Sequence, residues 1–123
     1  MRLLHTMLRV GNLEQSLNFY CTFLGMKLLR QKDYPGGEFT LAFVGYGDES
    51  DNAVLELTHN WGTEIDADFK YHDGNAQPQG FGHICFSVPD LDVAVRWFDE
   101  NQVPYVKRAD QGKMKDVAFI KDP

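Results

Sequence analysis

Two histidines and one glutamate have side chains of the kinds that bind metal ions in proteins. His5 and His83 each lie at the start of a predicted strand, and Glu56 lies between Leu55 and Leu57 in another. Because alternate side chains of a strand point to opposite faces, Glu56 points away from both leucines. Imidazole and carboxylate groups are ligands for zinc and neighbouring divalent metals. This pattern predicts a metal site of His5, Glu56 and His83; the simpler alternative is an exposed carboxylate and hydrogen-bonded core histidines.

An internal repeat places the two histidines at equivalent positions. Residues 5–13 (HTMLRVGNL) superimpose on residues 83–91 (HICFSVPDL), so that His5 falls on His83. A register repeated in this way indicates a duplicated structural unit. The chain is therefore expected to be built from two similar halves.

Hydrophobic periodicity predicts the elements that position these residues. In the first half, strands are predicted at 2–10, 27–33, 39–46 and 53–58, with a helix that begins at Leu13 and ends at Gly25. In the second half, a strand at 82–88 and a helix from the cap Asp90 to Asn101 precede strands at 103–108 and 116–120.

The fold class that follows is α+β, with two βαβββ modules of which the second lacks its last strand. Module one covers residues 1–58 and module two residues 81–123. The segment between them, residues 59–80, is rich in Asp, Asn, Gly and His and has neither helical nor strand periodicity. Loops of this length inside a compact domain are usually functional or are ordered by a partner.

Composition excludes several classes of protein. The formal net charge of −6 argues against nucleic-acid binding. No apolar run approaches the roughly 20 residues that a membrane span needs, and no signal peptide precedes the first strand. Cys21 and Cys85 lie in apolar periodic segments, which favours buried thiols in a reducing compartment over a disulfide. We therefore expect a cytoplasmic protein of one compact domain.

Long motifs resemble glyoxalase I, also called lactoylglutathione lyase. They are residues 5–10 (HTMLRV), 16–20 (SLNFY), 55–64 (LELTHNWGTE), 80–84 (GFGHI) and 112–123 (GKMKDVAFIKDP). The resemblance covers essentially the whole chain. It implies the vicinal oxygen chelate superfamily, whose modules are βαβββ units, and isomerisation of the glutathione–methylglyoxal hemithioacetal to S-lactoylglutathione.

The resemblance also implies roles for individual residues. His5, Glu56 and His83 match the first three metal ligands, and Glu56 is the candidate catalytic base. The cofactor implied is one divalent metal per site, with zinc favoured and nickel or cobalt as alternatives, and glutathione is the co-substrate. Positions that match the family's substrate-binding residues are Arg9, Asn60, Lys107, Lys113 and Met114, with Phe39, Leu41 and Phe43 as the apolar pocket.

This chain departs from the family pattern at two places. Gln79 stands where eukaryotic-type enzymes have a glutathione-binding arginine. The family's fourth ligand and principal base is a glutamate in the strand after Asp-Pro-Asp-Gly, and this sequence ends at Asp122-Pro123. We therefore expect a truncated C-terminus, with weak turnover for the chain as it stands.

Two alternatives belong to other functional classes. Relatives in the same superfamily bind ligands without catalysis, and others are different metalloenzymes, such as thiol transferases or extradiol dioxygenases. Residues 60–62 and 113–114 favour glyoxalase I over both. Family dimers share each site between subunits, and an unpaired sheet edge tends to be covered, so a homodimer is expected.

Overall fold

The computed structural model describes all 123 residues and divides into two compact units. One unit consists of Met1–Tyr71 together with Pro123, and the other is His72–Asp122. The division lies inside the segment that the sequence predicts as a loop.

The first unit is a βαβββ unit with a four-stranded mixed sheet, as predicted. Its strands are β1 (His5–Arg9), β2 (Lys27–Tyr34), β3 (Phe39–Gly45) and β4 (Val54–Asn60), in the spatial order β1-β4-β3-β2. The helix between β1 and β2 begins as α1 (Leu13–Leu17) and continues as a π-helical segment (Asn18–Phe23). A 3₁₀ turn, Pro35–Gly37, connects β2 to β3.

Local sequence explains where this helix begins and ends. The Asn12 side chain accepts a hydrogen bond of 3.0 Å from the backbone N–H of Gln15, which satisfies a free donor of the first turn. Gly25 ends the helical segment with a φ of 71°, a left-handed conformation that glycine adopts without a Cβ penalty. The chain then enters β2 at Lys27.

The hydrophobic core of the first unit is centred on β3 and β4. Ala42, Val44 and Leu57 are fully buried, and Phe19 and Tyr20 of the helical segment are also buried. Burial of these side chains on one face of β4 places Glu56, which has the opposite strand parity from Leu57, on the other face. The core therefore determines which way the candidate metal ligand points.

The second unit contains α2 (Leu91–Glu100), β5 (Tyr105–Lys107) and β6 (Phe119–Ile120), with β5 and β6 antiparallel. The Asp90 carboxylate caps α2 by accepting a 3.0 Å hydrogen bond from the Val93 N–H, as the sequence predicts. Both strands are shorter than predicted. No residue of α2 is buried, and Val103 is the buried apolar residue of this unit.

The predicted strand at residues 82–88 is absent, and this prediction is wrong for the chain described. In the first unit the corresponding strand, β1, pairs with the fourth strand, β4. Residues 1–123 hold no equivalent of β4 in the second half, so residues 82–88 have no ladder partner. An extended segment without such a partner keeps the alternation of a strand but not its hydrogen bonds.

The two cysteines differ in exposure. Both are free thiols; Cys21 is half-buried, which raises the pKa of its thiol, and Cys85 is exposed rather than buried as expected. Cys85 belongs to the unpaired segment 82–88, which explains its exposure.

No helix in this structure has both the length and the apolar composition that a membrane span requires.

Candidate functional site

One face of the four-stranded sheet carries the candidate site of the first unit. Residues that pair directly across neighbouring strands point to the same side, so the register gives the composition of this face. We call it the site face and define it by three rows across the sheet. The rows are Met7, Glu56, Phe43 and Arg30; Arg9, Thr58, Leu41 and Lys32; and Asn60, Phe39 and Tyr34.

His5 and Glu56 meet on this face. His5 Nε2 lies 3.1 Å from Glu56 Oε2, and the Glu56 side chain is only 14% exposed whereas that of His5 is 41% exposed. They meet because β1 runs parallel to β4, with His5 opposite Val54 and Met7 opposite Glu56. The pair combines one imidazole nitrogen and one carboxylate with open access on the histidine side, a donor set that fits a divalent transition metal.

Thr58 holds the second oxygen of the same carboxylate. Its hydroxyl donates a hydrogen bond of 3.3 Å to Glu56 Oε1, and Thr58 itself is buried. The two residues are separated by one position on β4 and so share the site face. Glu56 is therefore oriented from both sides, by Thr58 through Oε1 and by His5 through Oε2.

Phe43 lies between the metal-ligand candidates and an arginine. The His5 ring meets the Phe43 ring edge to face at 5.6 Å, and the Arg30 guanidinium carbon lies 3.4 Å from the centre of the Phe43 ring. Arg30 also pairs with Glu49 through Nε at 2.7 Å, and this bond lowers the pKa of the Glu49 carboxyl. The contact with Arg30 therefore holds the Phe43 ring beside the His5 ring.

Arg9 and Asn60, which match substrate-binding positions of the family, are joined at the far end of the site face. The Arg9 guanidinium donates a 2.8 Å hydrogen bond to Asn60 Oδ1. Because the amide is uncharged, Arg9 keeps a net positive charge at an exposed position. Such a guanidinium suits a carboxylate ligand.

The residues that follow Asn60 form a tight turn that holds it in place. Glu64 Oε2 lies 2.9 Å from His59 Nε2 and accepts a 2.9 Å hydrogen bond from the Gly62 N–H. The backbone N–H of Glu64 and then the His59 ring lower the pKa of the Glu64 carboxyl. The Thr63 hydroxyl also donates to the Gly11 carbonyl at 2.7 Å, which ties the turn to the end of β1.

Trp61 fastens the same turn to the sheet. Its indole N–H donates a 2.9 Å hydrogen bond to Thr40 Oγ1, and the Thr40 hydroxyl donates in turn to Asp33 at 2.7 Å. Thr40 is buried on the core face opposite His59. The hydrogen bonds of Trp61 and Gly62, in the stretch that resembles glyoxalase I, therefore hold Asn60 in place.

The predicted apolar pocket is only partly open. Phe43 is 3% exposed, Leu41 and Phe39 are half-buried, and the Phe39 ring stacks on Tyr34 with a centroid distance of 4.8 Å. All three predicted pocket residues lie on the site face together with Glu56. They offer an apolar surface suited to a small substituent such as a methyl group.

The remaining predicted site residues belong to the second unit. His83 is exposed and its ring meets Phe119 edge to face at 6.1 Å. The Lys107 ammonium donates to the carbonyls of Arg108, Met114 and Val117 at 3.2, 2.6 and 3.0 Å.

Lys107 thus holds in place the loop that carries Lys113 and Met114, whose side chains are both exposed.

Within neither unit do three His, Cys, Asp or Glu side chains lie close enough together to form a possible metal site.

Sequence reasoning missed five residues of the site face: Met7, Arg30, Lys32, Tyr34 and Thr58. Alternation along β4 puts Thr58 on the same face as Glu56, and this signal was available. For Arg30 and Lys32 the alternation was interrupted, because β2 carries an irregularity between Leu28 and Arg30 that changes the face on which each side chain lies.

Comparisons with known proteins agree with the fold. The model of the Glyoxalase/Bleomycin resistance protein/Dioxygenase superfamily matches residues 2–123. A lactoylglutathione lyase of Neisseria meningitidis is 56% identical over 127 residues, covering 100% of this chain and 84% of that protein. A probable lactoylglutathione lyase of Synechocystis is 54% identical over 127 residues, covering 100% of this chain and 88% of that protein.

Solved structures give the same result. The trypanothione-dependent glyoxalase I of Leishmania major superimposes with a TM-score of 0.82 at 38% identity, covering 100% of this chain and 80% of that one. The expected α+β fold and the resemblance to glyoxalase I are therefore confirmed. This chain belongs to the Glyoxalase/Bleomycin resistance protein/Dioxygenase superfamily.

Proposed function

We propose that this chain catalyses the isomerisation of the glutathione–methylglyoxal hemithioacetal to S-lactoylglutathione. The observation that carries the proposal is the 3.1 Å approach of His5 to Glu56 on a sheet face that also bears the Arg9–Asn60 pair. Relatives named lactoylglutathione lyase, at up to 56% identity over the full chain, support it.

The residues of the site face fit a divalent metal. His5 and Glu56 would supply one nitrogen and one oxygen ligand, and His83 is the proposed third ligand. In family dimers the first pair of ligands comes from one subunit and the later pair from the other, so we propose a homodimer in which His83 of a second copy joins His5 and Glu56. We favour zinc, with nickel or cobalt as alternatives. The bound metal would polarise the substrate carbonyl and stabilise the negative charge that develops on its oxygen.

Glu56 is the proposed proton carrier. Its carboxylate is largely shielded from water and is oriented by Thr58, so one oxygen stays fixed while the other faces the open side of His5. From this position Glu56 accepts the proton from the C–H bond of the hemithioacetal and returns it to the neighbouring carbon.

The other residues of the site bind the substrate. Arg9 and Asn60 would hold the γ-glutamyl group, with the guanidinium on its carboxylate and the amide on its polar atoms. Lys113 and Met114 would contact the remainder of glutathione, with Lys107 holding their loop. Leu41 and the other apolar residues of the site face would pack on the methyl group.

The test is thioester formation from methylglyoxal and glutathione with metal-stripped protein to which zinc or nickel is returned. Metal-dependent turnover that His83→Ala abolishes supports the proposal. The matched control is His72→Ala, because His72 is an exposed histidine of the same unit whose ring hydrogen-bonds to the Pro78 carbonyl. Binding of a glutathione conjugate without metal dependence or turnover would instead favour a ligand-binding protein of the same superfamily.

A further inference from the structure

Lys32 lies on the site face, at its β2 edge. It pairs with Leu41 of β3, which pairs with Thr58 of β4, so Lys32 belongs to the same row as Thr58. Its ammonium lies 5.1 Å from the centre of the Tyr34 ring, which shows that the side chain runs along this face. Lys32 is exposed along the edge of β2.

The charge on Lys32 is uncompensated, unlike that of the neighbouring cation on β2. Arg30 is neutralised by Glu49 at 2.7 Å. Lys32 makes no ion pair, and its ammonium lies near the aromatic ring of Tyr34. In a chain with a net charge of −6, this leaves a free positive charge beside the apolar surface of Phe39 and Leu41.

The distances across the sheet set the size of group that could reach this charge. Neighbouring strands are about 4.8 Å apart, so the backbones of Lys32 and Thr58, two strands apart, are separated by roughly 10 Å. The Lys32 side chain extends along β2 to the Tyr34 ring rather than across the sheet, so a group bound near Glu56 has to cross Leu41 to reach its ammonium. A substituent that starts beside Glu56 and extends over Leu41 toward β2 would bring its far end toward the Lys32 ammonium.

We propose that Lys32 is a specificity-determining residue that favours hemithioacetals whose aldehyde-derived group ends in an anion. This inference rests on the proposed function. The apolar surface of Phe39 and Leu41 would contact the part of the aldehyde-derived group that lies nearest Glu56, and the Lys32 ammonium would bind the anion at the far end of that group. A 2-oxoaldehyde with a terminal carboxylate is the substrate class that this arrangement selects. Methylglyoxal is too short to reach Lys32, so its turnover is not expected to depend on this side chain.

The experiment compares two glutathione conjugates of equal length, S-(3-carboxypropyl)glutathione and its terminal amide, by titration calorimetry on zinc-loaded protein. Binding does not require turnover, so this readout is independent of the chemical step. The wild-type chain is expected to bind the carboxylate conjugate about two- to fivefold more tightly at low ionic strength, a size typical of one exposed ion pair. The preference should shrink in 0.5 M salt, on the order of the screening expected for exposed charges.

Lys32→Met tests the residue itself, and Lys27→Met is its control. Lys27 is on the same strand, but it pairs with Gly45, about 13 Å along β3 from Leu41. Lys32→Met should bind both conjugates equally, and Lys27→Met should keep the preference. Turnover of methylglyoxal should change by less than about twofold in Lys27→Met.

The outcomes separate this inference from the proposed function. Equal binding of the two conjugates by the wild-type chain, or a preference that survives Lys32→Met, overturns the role of Lys32 while methylglyoxal turnover can still stand. If Lys32→Met weakens both conjugates to the same extent, Lys32 acts on glutathione and the inference is wrong. Failure of both conjugates to bind overturns this inference, and metal-dependent turnover of methylglyoxal then decides the proposed function separately.

Discussion

The hydroxyl of Thr58 donates to Glu56 Oε1 at 3.3 Å, on the opposite oxygen of the carboxylate from the one that faces His5. A carboxylate that is held at one oxygen presents the other in a fixed direction. Residues that orient a metal ligand in this way typically contribute a factor of about 10 to 100 in metal affinity.

Replacement of this hydroxyl should therefore weaken metal binding. Thr58→Val keeps the size and branching of the side chain but removes the donor, and we expect zinc affinity to fall about tenfold, as measured by competition with a chromophoric chelator. Thr6→Val is the matched control, because Thr6 pairs with Leu55 and lies on the other face of the sheet. Equal zinc affinity in the two variants would contradict the role of Thr58.

Arg9 should act on substrate binding more than on chemistry. Arg9→Met removes the guanidinium that Asn60 orients, and hydrogen bonds to charged groups contribute about 1.5–3 kcal/mol. We expect KM for the hemithioacetal to rise by about tenfold or more, with kcat changed less than about threefold. Arg96→Met, at an exposed position of α2, is expected to match the wild type. A loss confined to kcat would argue against glutathione binding by Arg9.

Lys107 should matter for stability as well as for binding. Its ammonium donates three hydrogen bonds within one loop, so Lys107→Met removes this donor from the Met114 and Val117 carbonyls, whereas the Arg108 carbonyl keeps the Gln111 N–H. We expect a loss of roughly 1–3 kcal/mol in the free energy of unfolding, together with faster amide exchange in residues 107–117. Lys113→Met removes a neighbouring exposed lysine and should leave stability unchanged. Equal stability of the two variants would sink this prediction.

Acid should destabilise the second unit through two ion pairs. Asp99 pairs with Arg108 and Asp73 with Lys121, each at 2.7 Å, and these bonds lower the pKa of both carboxyl groups below the ordinary 3.8. Because the folded pKa is lower than the unfolded one, the stabilisation is present above pH 3.8 and is lost as the pH falls through the folded pKa.

Urea unfolding at pH 7 and pH 3 measures this loss. Asp99→Asn should lose less stability between the two pH values than the wild type, because it lacks one of the groups that must be protonated. Asp92→Asn is the control, since Asp92 lies in the first turn of the same helix and makes no ion pair. A pH dependence in Asp99→Asn equal to that of the wild type would be the contrary result.

The core behind the site face should tolerate truncation poorly. Leu57 is fully buried between the two residues that form the site on β4, so Leu57→Ala should cost about 2–5 kcal/mol in the free energy of unfolding. Leu28→Ala removes the same atoms from a side chain that is 45% exposed and should cost much less. Chemical denaturation of both variants checks the difference, and similar losses would mean that Leu57 is not at the centre of the core.

The sequence by itself determined the local structure of this protein. Alternation, the cap residues Asn12 and Asp90, and Gly25 predicted the four strands of the first unit and both helices, because these signals depend only on neighbouring residues. The motifs also determined the family and the candidates His5 and Glu56. The same local rules wrongly predicted a strand at 82–88, since alternation shows which side chains could face a core but not whether a partner strand exists.

Only the tertiary structure decided which of these residues meet. The order β1-β4-β3-β2 and the parallel register of β1 with β4 bring His5 to Glu56, and the irregularity in β2 puts Lys32 on the same face. The three carbonyls that accept hydrogen bonds from the Lys107 ammonium come together only when their loop folds back. The physical reason is that strand pairing and loop closure join residues far apart in sequence, and local propensity carries no information about such contacts.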